Sequence, residues 1–76
     1  MIVYRLIAEC DGKSRARTIT DRDIPKQGDE WDFGHKLGPQ TVASAEFGNG
    51  QSFVIINVTP EKFQELTMVE GWSAVE

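Results

Sequence analysis

The segment TVASAEFGNGQSFVIINV (residues 41–58) contains the strongest local fold signal in this 76-residue chain. Asn49-Gly50 is typical of a two-residue β-hairpin turn, because both residues accept positive φ at low cost. The predicted pairs are Ala45–Val54, Ala43–Ile56 and Thr41–Val58 on one face, and Glu46–Phe53, Ser44–Ile55 and Val42–Asn57 on the other. Both faces of the second strand are largely apolar, which predicts a central strand covered on both sides.

A second hairpin is predicted at the start of the chain, where IVYRLIAE (2–9) and SRARTIT (14–20) flank Asp11-Gly12. A two-residue loop would place Cys10 opposite Lys13, and a three-residue loop would place Glu9 there instead. We prefer the three-residue register because it pairs the opposite charges of Glu9 and Lys13, although it also places Arg5 opposite Arg17.

The remaining segments predict one short strand and one helix. EWDF (30–33) alternates as a strand does, and TPEKFQELTMVEG (59–71) has Thr59 as N-cap, Pro60 in the first turn and Gly71 as a stop. WSAV (72–75) is predicted to be either a short strand or an extended tail. Residues 1–76 therefore predict a single β-rich α+β domain, a small antiparallel sheet of about five strands with one C-terminal helix. We expect the sheet to curl into a roll or an open SH3-like barrel.

Composition points to a reducing compartment. Cys10 is the only cysteine, so no disulfide forms within the chain, and an unpaired thiol is typical of cytoplasmic proteins. The apolar start is broken by Arg5 and has no basic leader, and no stretch approaches the ~20 apolar residues of a membrane span. We therefore predict a cytoplasmic protein without membrane association.

A basic strand face is the first candidate binding surface. The net charge is −4, but residues 1–26 carry six basic against four acidic residues, a net of +2, and residues 27–76 carry −6. Arg15 and Arg17 share a face by alternation, and Arg5 is predicted to lie beside them on the neighbouring strand. Basic groups near aromatic side chains are typical of single-strand nucleic-acid platforms. The acidic total opposes this hypothesis, and weak nucleic-acid binding is retained only as the alternative.

Candidate metal ligands and nucleophiles are few. Asp29, Glu30, Asp32 and His35 cluster in GDEWDFGH (28–35), but strand parity directs Glu30 and Asp32 toward solvent, and the spacing fits no metal loop. Cys10 and the single histidine, His35, lie in separate segments with nothing to bring them together as nucleophile and base. We predict no metal, no cofactor and no enzymatic activity, and a small enzyme centred on Cys10 or His35 is the third hypothesis.

The best-supported function is a non-enzymatic interaction module that binds a protein partner or a second copy of itself. A single core of this size rarely supplies more than about 3–5 kcal/mol, so small domains often associate. Residues 2–8 and 53–58 are apolar on both faces, and one helix cannot cover both faces of the sheet they would form. An apolar face left exposed is typical of a partner site, for another protein or for a second copy in a homodimer. A monomer whose second face is covered by the helix and Trp72 is the alternative.

Overall fold

The computed structural model describes residues 1–34 and 37–75. The elements in chain order are β1 (Ile2–Cys10), β2 (Lys13–Asp21), β3 (Glu30–Asp32), β4 (Pro39–Gly48), β5 (Gln51–Asn57), α1 (Pro60–Thr67) and β6 (Ser73–Val75). They form one six-stranded sheet in the order β3-β4-β5-β1-β2-β6. The small β-rich α+β class with a C-terminal helix is confirmed, and the tail is a strand.

The sheet is mixed, which corrects the expectation of a wholly antiparallel one. β1 pairs with β5 in parallel, with Leu6 beside Val54 and Ala8 beside Ile56, whereas every other neighbouring pair is antiparallel. This arrangement places the two most apolar strands side by side at the centre. β3 and β6 form the two edges, and no pairing between them closes a barrel within the described residues.

The register of the first hairpin differs from the preferred one. Cys10 pairs with Lys13, as in the two-residue alternative, and Leu6 pairs with Arg17. Asp11 and Gly12 both have positive φ, at 50° and 78°. This conformation matches a two-residue type I′ turn, whose twist agrees with that of the flanking strands. Local turn geometry therefore outweighs the pairing of Glu9 with Lys13 that a longer loop would provide.

The second hairpin follows the predicted register near its turn and departs from it farther away. Asn49 and Gly50 form the turn, and the predicted pairs Ala45–Val54, Glu46–Phe53 and Ser44–Ile55 are present. The register shifts between Val42 and Ser44, so Val42 pairs with Ile56 in place of Ala43. This bulge places Val42 in the core at 2% exposure, and burying valine in place of alanine gains apolar contact.

The helix begins as predicted and ends early. The Thr59 side chain accepts a hydrogen bond from the Lys62 amide at 3.2 Å, and Pro60 occupies the first helical turn. The helix ends at Thr67, before the predicted stop at Gly71. Gly71 has φ +99°, and a Cβ there would collide with the Arg17 guanidinium. It shapes the turn that leads Trp72 into the core.

The contiguous core cluster lies on one side of the sheet, and the small buried side chain of Ala16 lies on the other. Buried side chains of β1, β2, β4 and β5 meet residues from the loops and from α1, with Ile24, Trp31, Val58 and Val69 at the margin. The core residues are Tyr4, Leu6, Ala8, Ile19, Phe33, Leu37, Val42, Val54, Ile56, Leu66 and Trp72. The helix and the connecting loops therefore cover the same face, which we call the covered face.

Tyr4, the only tyrosine of the chain, should give a pH-dependent stability. Burial raises the pKa of its phenol to about 12, and the Asp21 carboxylate adds to the rise. Because the unfolded phenol ionises near pH 10, the stabilising contribution is complete below pH 10 and is lost as the pH rises toward 12. We expect the ultraviolet absorbance of the phenolate to appear only above about pH 11, or together with unfolding.

Tyr4→Phe is the matched control for this titration. The Tyr4 hydroxyl is buried without a hydrogen-bond partner among the described residues, so its removal should cost little stability at pH 7. In urea unfolding at pH 8 and at about pH 11, the variant should lose less stability between the two values than the wild type does. A phenol that ionises near pH 10 in the folded protein would contradict this expectation.

Candidate functional site

The side of the sheet opposite the covered face carries no member of the core cluster in the part of the chain that the structure describes. Val3, Ile7, Phe53 and Ile55 point to this side by strand alternation, and none of them belongs to the core or packs against it. We call this side the open face. It includes Val3, Arg5, Ile7 and Glu9 of β1, Ser14, Ala16, Thr18 and Thr20 of β2, Ser44 and Glu46 of β4, and Phe53, Ile55 and Asn57 of β5.

The open face has an apolar centre between two charged rows. Ile7 lies beside Ile55 of β5 and beside Ala16 of β2. Two residues before Ile7 on β1, Arg5 lies between Phe53 of β5 and Thr18 of β2. Two residues after Ile7, Glu9 lies between Asn57 of β5 and Ser14 of β2. Val3 is 57% exposed, Ile7, Phe53 and Ile55 are half-buried, and the small side chain of Ala16 is buried. The face is thus apolar in the middle, with a cation and an anion equally far from Ile7.

The three predicted basic residues do not form one surface. Arg5 pairs with Thr18 and lies on the open face, whereas Arg15 and Arg17 pair with Ala8 and Leu6 and lie on the covered face. The expectation that Arg5 lies beside the other two is therefore wrong. It depended on the three-residue loop, and the two-residue loop shifts β2 by one position, which moves its side chains to the opposite face.

Arg17 holds the end of the helical segment. Its Nη1 donates to the Glu70 carbonyl at 3.0 Å, and its guanidinium occupies the space beside Gly71 where a side chain would otherwise stand. The contact joins β2 to the turn after α1. Arg15 makes no such contact and instead lines a groove together with Lys13 and Phe63.

Cys10 is not activated as a nucleophile. Its Sγ donates to the Asp11 carboxylate at 3.7 Å. Loss of hydration raises the pKa of the thiol, and the Asp11 and Glu61 carboxylates raise it further, so the protonated form predominates at neutral pH. His35, the other residue of the enzyme hypothesis, lies outside the described residues.

The acidic residues around Trp31 serve the local backbone. Asp29 accepts a hydrogen bond from the Lys26 amide at 2.9 Å, and Asp32 accepts one from the Gly34 amide at 3.0 Å. Glu30 and Asp32 are exposed, as parity predicted. In residues 1–34 and 37–75, no three Asp, Glu, Cys or His residues lie close enough to hold a metal ion, and His35 lies outside that part.

The groove beside Phe63 is not apparent in the sequence, because its walls come from β1, β2, the turn between them, α1 and β6. The symmetry of the open face, in contrast, was visible in the sequence. Arg5 and Glu9 each stand two residues from Ile7, on the same side of a strand.

Comparisons with protein-family models, with curated proteins and with solved structures find no match to this chain. In the described part, the single helix is too short and too polar to cross a membrane.

Proposed function

We propose that this protein is a small non-enzymatic interaction module whose open face binds a second copy of the chain. The observation that supports the proposal is the one-sided core, which leaves Ile7, Phe53, Ile55 and Val3 outside it. Removing apolar surface from water contributes about 25 cal/mol per Å². A contiguous apolar face bordered by polar residues is typical of a partner site.

The charges of the open face favour a second copy as the partner. Consider two copies with their open faces together and a two-fold axis in the plane between them. The axis runs across the strands at the level of Ile7. It places Ile7 against Ile7 and Ile55 against Ile55, and it reverses the strand direction across the interface. Arg5 of each copy then stands opposite Glu9 of the other, about 6.6 Å to either side of the axis.

Two features support this orientation over its alternative. Neither Arg5 nor Glu9 has an ion-pair partner within the described residues, so both are available across an interface. An axis parallel to the strands would set Arg5 against Arg5 and Glu9 against Glu9, which like-charge repulsion disfavours.

The proposed dimer is weak. The open face comprises four strands about 4.8 Å apart over a length of about 20 Å, a footprint of roughly 400 Å². Stable interfaces bury about 800 Å² on each partner, so this one belongs with transient contacts. Assembly should therefore depend strongly on concentration.

Molar mass in solution tests the proposal. Sedimentation should give 8.5 kDa at about 1 µM and a value approaching twice that at about 500 µM, as expected for a low-area interface. Ile55→Lys places a charge in the apolar centre and should keep the chain monomeric at both concentrations. Gln27→Lys, the same charge change in an exposed loop outside the open face, should associate like the wild type. A wild type that stays monomeric at about 500 µM would refute self-association.

The same proposal assigns the protein to the cytoplasm and to no enzyme class. A single thiol without a disulfide partner suits a reducing compartment. The raised pKa of Cys10 offers no activated nucleophile. The partner we propose is a protein surface.

A further inference from the structure

A groove on the covered face lies between the tip of the first hairpin and α1. It consists of two adjoining cavities of about 250 Å³ and 320 Å³ that share Lys13, Arg15 and Phe63 as walls. Ala74 of β6 completes the smaller cavity, and Pro60, Gln64 and Thr67 of α1 line the larger one. The groove is on the side of the sheet away from the open face, so its function does not depend on self-association.

The smaller cavity is positively charged although the whole chain is acidic. Lys13 and Arg15 are its only charged wall residues. Arg15 is half-buried, and its guanidinium has no hydrogen-bond or ion-pair partner in residues 1–34 and 37–75. A partly desolvated cation without a counter-ion is unfavourable unless an anion joins it. Asp11, which borders the larger cavity, already accepts from the Cys10 thiol.

Phe63 provides an apolar wall to the same space. It is half-buried and lines both cavities, but it does not belong to the core, in contrast to Leu66 one turn farther along α1. An aromatic ring beside an unpaired guanidinium offers two contacts at once. The ring packs against a flat apolar group, and the guanidinium receives a carboxylate through two parallel hydrogen bonds.

We propose that this groove binds a small organic anion in which a carboxylate is attached to a flat apolar group. Arg15 holds the carboxylate in bidentate fashion, and Lys13 adds a second positive charge at the entrance. Phe63 packs against the apolar part. Arginine suits this task because its planar fork matches the two carboxylate oxygens and stays charged at all physiological pH values.

A titration of the full-length ¹⁵N-labelled protein with sodium benzoate tests the site, with acetate at equal ionic strength as comparison. Benzoate should shift the amide resonances of Gly12, Lys13, Ser14 and Phe63 in a saturable manner, and acetate should bind at least tenfold more weakly. Arg15→Gln should lower the benzoate affinity at least tenfold, and Lys13→Gln, at an exposed position that does not endanger the fold, should lower it less.

Arg22→Gln is the matched control, because it removes the same charge at an exposed position outside both the groove and the open face and should leave benzoate binding unchanged. Phe63→Leu should abolish the preference for benzoate over acetate. The proposal is overturned by benzoate shifts confined to the open face, by equal affinity in the Arg15→Gln variant, or by the absence of saturable shifts.

Discussion

Replacing Leu6 by alanine should destabilise the protein by about 2–5 kcal/mol, because truncating a buried leucine loses apolar burial and leaves a cavity. Leu6 is completely buried on β1, next to Val54 of β5. A single core in a chain of 76 residues rarely supplies more than about 3–5 kcal/mol in total. The variant should therefore be largely unfolded at 25 °C, as circular dichroism and urea titration would show.

Ile7→Ala is the matched control, since Ile7 is the next residue of the same strand and faces the other way. It is half-buried and lies outside the core. At about 1 µM, where the proposed dimer is dissociated, this substitution should cost clearly less stability than Leu6→Ala, because less of the side chain leaves water on folding. Equal losses for the two variants would mean that both faces of β1 are packed in the monomer.

Reversing one charge of the open face should abolish self-association. In the proposed dimer, Arg5→Glu or Glu9→Arg sets like charges against each other at both ends of the interface. Each variant alone should remain monomeric at about 500 µM. An equimolar mixture of the two should associate again, because one chain then presents two acidic side chains and the other presents two basic ones at the matching positions.

Sedimentation or native mass spectrometry of the mixture would show whether the two variants associate with each other. The double variant Arg5→Glu/Glu9→Arg, in which the pair is inverted, should form a homodimer like the wild type. If the wild type associates but the single reversals do not affect it, the antiparallel orientation is wrong. Ile55→Lys then decides separately whether the open face is used at all.

Local turn and capping chemistry made several parts of the fold predictable. Asn49-Gly50 fixes the second hairpin because both residues adopt positive φ, and the pairs nearest the turn follow from its loop length. Thr59 and Pro60 fix the start of α1 through a side-chain cap and a preset φ. These signals act within a few residues, so the sequence alone contains them.

The bulge in β4 and the register of the first hairpin could not be predicted in the same way. The bulge matters because it turns Val42 toward the core, and that benefit exists only once β5 and the loops are in place. In the first hairpin, an expected contact between Glu9 and Lys13 suggested a register that the turn at Asp11-Gly12 does not adopt. Exposed ion pairs contribute little and seldom decide a register.

By itself, the sequence determined that β1 and β5 are apolar on both faces, that more apolar surface exists than one helix covers, and that Arg5 and Glu9 flank Ile7. Only the tertiary structure decided which face is covered, and therefore that Ile7 stays outside the core whereas Arg15 lines a groove beside α1. The physical reason is that alternation within a strand assigns side chains to two faces without distinguishing them. The two faces become different only when the helix, the loops and Trp72 pack on one of them.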